Sequence, residues 1–70
     1  MNETQIKLRE IVELQRGYKD LESGKIPFTK PSLCALCVPF RDKYGLNDDQ
    51  VLRLARKKMD IDEMIDVMNL

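Results

Sequence analysis

A chain of 70 residues, 43% hydrophobic and 34% charged, is one small domain near the lower limit for independent folding, and its composition excludes a disordered segment. Its 12 basic side chains balance 12 acidic ones, which argues against a dedicated nucleic-acid binder, and with no histidine it lacks the commonest general base and zinc ligand. No apolar run approaches the roughly 20 residues that span a bilayer, and the polar, acidic start differs from a signal peptide, so no membrane association and a cytoplasmic location are expected.

In chain order the sequence predicts a single domain over 1–70, an all-α, compact bundle of three to four short helices. The first helix is expected over 3–23. Asn2 and Gln5 form a capping box, and Leu8, Ile11, Leu14, Tyr18 and Leu21 recur at three- and four-residue steps as one apolar stripe. Glu3 and Lys7 stand at i,i+4. Gly17 costs about 1 kcal/mol against Ala in mid-helix, so it marks either a close approach of another helix or a weak point. Gly24 suits the left-handed position after a helix end, and Pro27 follows.

Residues 24–30 read as a connector stiffened by Pro27 and Pro31 and anchored to the core through Phe28. A kinked helix over 31–44 comes next, with Pro31 at its first position and Leu33, Leu36, Cys37, Phe40 and Tyr44 on one face. Pro39 removes a donor and predicts a kink or break near Cys37–Val38. A buried strand over Leu33–Val38 competes with this reading but has no pairing partner. Gly45 closes the segment.

The third helix is expected over 48–58, opened by a second capping box, Asn47 with Gln50. It buries Val51, Leu52, Leu54 and Ala55, and pairs Asp49 with Arg53 at i,i+4. The fourth is expected over 61–69, with Asp60 and Glu63 repeating the capping device and Ile61, Met64, Ile65 and Met68 forming the buried stripe. Residues 47–70 carry six acidic and four basic side chains, and all four cations, Arg53, Arg56, Lys57 and Lys58, crowd the end of the third helix. There they complement the helix dipole.

Cys34 and Cys37 form the single motif with metal or redox precedent. Two thiolates are half of a structural zinc site, so zinc would need a second copy of the chain. In its four-residue spacing the pair resembles a zinc hook, which would imply a zinc-bridged homodimer through two CxxC pairs, though the long coiled coil of such hooks is missing. Thioredoxin-like chemistry needs a βαβ framework that this chain does not encode. The simpler expectation is that both cysteines are small buried hydrophobes. The first-turn carboxylates Asp48, Asp49, Asp60 and Glu63 are accounted for by capping, and Asp60 with Asp62 lacks the glycine and terminal Glu of a calcium loop. No phosphate-binding glycine loop or nucleophile–base pair occurs, so neither an enzyme nor a cofactor is expected.

Residues 50–70, in the spacing of Leu54-Ala55, Met59-Asp60 and Ile61 to Ile65, resemble the opening two helices of a helix-turn-helix. That resemblance implies DNA binding, but Leu70 ends the sequence where a recognition helix would start, and Asp62, Glu63 and Asp66 on the last helix repel phosphate. Specific nucleic-acid binding is therefore secondary to protein binding. In size and style the chain resembles bacterial or phage accessory proteins that modulate larger machines. The candidate contact residues are Arg53, Arg56 and Lys57 for steering, and Met64, Met68 and Leu70 for adaptable apolar contact.

Overall fold

The computed structural model describes residues 2–70, and among them every regular element is helical. Helix α1 spans Glu3–Glu22, α2 Lys30–Tyr44, α3 Asp48–Ala55 and α4 Ile61–Met68.

Local chemistry sets the helix starts. Asn2 accepts the Gln5 backbone N–H at 2.8 Å while the Gln5 side chain accepts from the Asn2 N–H at 3.2 Å, so both halves of the first capping box are made. The Asn47–Gln50 box is equally complete, at 2.8 and 2.9 Å. At α2 the cap is Thr29, whose hydroxyl accepts from the Ser32 N–H at 3.2 Å, so the helix begins at Lys30 and Pro31 falls in its first turn. Asp60 caps α4 by accepting from the Glu63 N–H at 2.8 Å. That box is only half closed, because the Glu63 side chain turns elsewhere.

No break appears at Cys37–Val38: α2 runs unbroken through Pro39. Pro39 deprives the Ala35 carbonyl of its helical donor, and both residues lie on the exposed side of α2. The buried Cys37 and Phe40 hold the other face of the helix in the core.

α1 and α2 lie antiparallel, as their cross-contacts show. Near the start of α1, Glu10 accepts from Lys43 Nζ at 2.5 Å and from the Tyr44 hydroxyl; further along, Gly17 faces Leu36. A Cβ at Gly17 would stand 2.5 Å from Leu36 Cδ1, so this glycine marks a close helix approach. α3 joins through Arg41, which pairs with Asp48 at 2.6 Å, and through Gln15, whose amide donates to the Leu54 carbonyl at 3.2 Å. The core is shared by Ile11, Leu14 and Tyr18 of α1, Cys37 and Phe40 of α2, Val51, Leu54 and Ala55 of α3, and Met59 and Met68 beyond it. Leu54, with no exposed surface, lies at its centre.

Two expectations for α1 and its connector change. Leu8, placed on the apolar stripe, is exposed, and Lys7 reaches the Asn69 carbonyl at 3.3 Å, which ties the end of α4 to α1. Phe28 is 51% exposed yet meets the Tyr18 ring edge-on at 5.9 Å between centroids, so it anchors the connector from outside the core.

Replacing Gly17 by Val forces branched methyls into the space that Leu36 occupies. We expect Gly17→Val to lose about 1–3 kcal/mol of stability by urea denaturation. A variant as stable as the parent would show that the α1–α2 approach is looser than described.

Candidate functional site

The last third of the chain departs most from its periodicity. α3 stops at Ala55, three residues short of the expected end at Lys58, because Lys57 adopts a left-handed backbone with φ of 57°. The Lys58 N–H then donates to the Arg53 carbonyl at 2.8 Å and the Lys57 N–H to the Leu54 carbonyl at 3.2 Å, the bonding of a Schellman turn. Glycine ordinarily fills this position, and a lysine there bears the backbone cost. Arg56, Lys57 and Lys58 thus leave the helix and enter an exposed turn, while Met59 folds back into the core.

Arg53 does not belong to that exposed set. Its guanidinium grips both oxygens of Glu63, Nη1 to Oε1 at 2.7 Å and Nη2 to Oε2, while its Nε donates to Asp49 at 3.0 Å. The i,i+4 pair expected within α3 is present, but the stronger link is the bidentate one to α4. Hydrogen bonding to Arg53 holds the Glu63 carboxyl below the ordinary carboxylate range, and the same bond raises Arg53. An arginine committed to two carboxylates is a brace between helices and a poor group to offer a partner.

The fork also ties α4 to α3. At about 100° per residue, Ile61, Ile65 and Met68 fall within about 60° of one another on α4, so position along the helix separates them: Ile61 opens it in solvent and Met68 closes it in the core. Ile61 is 71% exposed and Ile65 45% exposed. The expected buried stripe is therefore wrong in two of its four members. Met68, proposed as a contact residue, is 2% exposed and belongs to the core, while Met64 and Leu70 pack half-buried against it.

Between α1 and the α3–α4 turn lies a cleft of about 330 Å³, lined by Val12, Gln15, Arg16, Lys19 and Lys57. Its three cations form no side-chain hydrogen bond or ion pair among the described residues, and no carboxylate lines the cleft. Arg56 and Lys58 flank Lys57 and are likewise unpaired among the described residues. Arg16 and Lys19 escaped notice in the sequence because they belong to a helix distant along the chain. The signal available was Val12, Arg16 and Lys19 at helical spacing on one flank of the α1 core stripe.

The cysteines separate. Cys34 is exposed and Cys37 buried, and burial, followed by proximity to Cys34, pushes the Cys37 thiol up. A hook shared between two copies needs both thiols at the surface, so Cys37 would have to leave the core to join one. Among the described residues no three Cys, Asp or Glu side chains cluster as metal ligands. No helix among them is long and apolar enough to cross a membrane.

No family model and no curated protein matches this sequence, and no solved structure matches it.

Lys57→Gly relieves the left-handed backbone and should raise stability by about 1 kcal/mol in chemical denaturation; a loss would show that the lysine side chain stabilises the turn. Acid should act in the opposite sense. Lys43 first, then Tyr44, hold Glu10 low, as Arg53 holds Glu63. Stability from these depressed carboxyls is complete above their ordinary value of about 4.3 and lost as pH falls through their lower folded values. In thermal melts from about pH 6 to about pH 3, Glu63→Gln should therefore flatten the acid decline. Parallel declines in parent and variant would exclude Glu63 as a source of it.

Proposed function

We propose that this chain is a small non-enzymatic protein-binding module, an accessory that acts by docking on a larger macromolecule. The observation that carries the reading is Ile61, a branched apolar side chain 71% exposed at the first position of a capped helix, with Ile65 exposed one turn later. A 70-residue chain has little apolar surface to spare, and leaving two isoleucines outside a core built partly from methionine is costly unless a partner covers them. The unpaired cations Arg56, Lys57 and Lys58 precede them in the turn, an arrangement of apolar centre and charged rim common to protein interfaces.

The contact set differs from the one drawn from sequence. Arg56 and Lys57 stay in it, Ile61 and Ile65 take the apolar role assigned to Met68, and Arg53 acts as the brace that ties their helix to α3. Met64 and Leu70 contribute at most their exposed edges. Nucleic acid is the weaker partner for this surface, since Asp62 and Asp66 share α4 with the isoleucines and repel a phosphate backbone.

A photo-crosslinking residue at position 61 should give discrete polypeptide adducts in cells expressing the protein, while the same residue at exposed position 22 should not, and Ile61→Asp in a position-65 crosslinker should abolish them. Identical adducts from positions 61 and 22, or adducts removed by nuclease, would overturn the protein-binding reading.

A further inference from the structure

Resting on that reading, we propose that the occupant of the surface is an acidic amphipathic segment of the partner. Its carboxylates enter the Arg16–Lys19–Lys57 cleft, and its apolar side chains lie over Ile61 and Ile65. The inference starts from charge. The chain is neutral overall, yet three cations line one cleft without a carboxylate among them and without ion pairs among the described residues. Three other cations are spent on the protein's own acids: Arg41 on Asp48, Lys43 on Glu10, and Arg53 on Asp49 and Glu63. In the cleft three cations converge with no acid of the described residues set against them.

Geometry selects an acidic peptide over other anions. Lys57 reaches the cleft because its backbone is left-handed, and the same turn carries the chain on to Ile61 four residues later. Val12 lies in the wall of the cleft at 44% exposure, so apolar surface adjoins the cations as well as following them. A segment with carboxylates on one flank and apolar side chains on the other satisfies both features. A nucleic acid would leave the isoleucines bare and meet Asp62 and Asp66. A free small anion would use the cations alone.

The test is titration of the isotopically labelled protein, followed by amide chemical shifts. The probes are two peptides of about 18 residues with leucines at helical spacing, one with Glu and one with Lys at its polar positions, and a short DNA duplex. The Glu peptide should shift the amides of Arg16, Lys19, Lys57, Ile61 and Ile65 saturably, and the Lys peptide should not. Lys19→Glu with Lys57→Glu should weaken the Glu peptide at least about tenfold. Lys57→Gly, which eases the turn while removing its cation, should also weaken it, so lost folding cannot explain the result. Equal shifts from both peptides, no saturable shift from the Glu peptide, or tighter binding of the duplex at these amides would each overturn the proposal. Position-61 adducts that persist unchanged in the Lys19→Glu, Lys57→Glu variant would overturn it while leaving the protein-binding reading intact, whereas loss of all position-specific adducts in the parent defeats that reading itself.

Discussion

The bidentate grip of Arg53 on Glu63 governs how the final helix meets the rest of the molecule. α4 has only eight residues, too few to hold itself in water, and its apolar residues cover more of its circumference than the core can accept. The fork fastens the start of α4 to α3, and the face shared by Ile61, Ile65 and Met68 passes from solvent at Ile61 to the core at Met68, with Met64 half-buried beside it. Lys7 closes the other end of α4 by bonding the Asn69 carbonyl. Polar contacts at the surface thereby fasten both ends of a short apolar helix.

A second constraint acts on the backbone just before. The left-handed Lys57 ends α3 and redirects the chain, so that Met59 enters the core while Lys57 reaches α1. Had α3 continued to Lys58, its cations would have spread around a helix end and served its dipole. Turning instead places one of them beside Arg16 and Lys19. The basic cleft is therefore a product of that one turn, and the exposed isoleucines follow it by a few residues.

Behind them stands a conventional scaffold. α1 supplies one wall of the core and touches every other helix: α2 through Glu10 and Gly17, α3 through Gln15, α4 through Lys7. The absence of a side chain at Gly17 leaves room for Leu36 of α2.

The sequence by itself determined the helical class and the helix starts, because both rest on interactions between residues three or four apart: the boxes at Asn2 and Asn47, the cap at Asp60, the stripe from Ile11 to Leu21. It also placed Arg56 and Lys57 near a helix end. Tertiary structure alone decided where Glu63 pointed, that Ile61 and Ile65 stayed outside while Met68 of the same stripe went in, that α2 runs unbroken through Pro39, and that Arg16 and Lys19 meet Lys57. Local capping and long-range pairing compete for the same Glu63 carboxylate, and periodicity names a stripe without saying how much of it a neighbour covers. Those choices depend on groups ten to forty residues apart, and they are settled only when the helices pack.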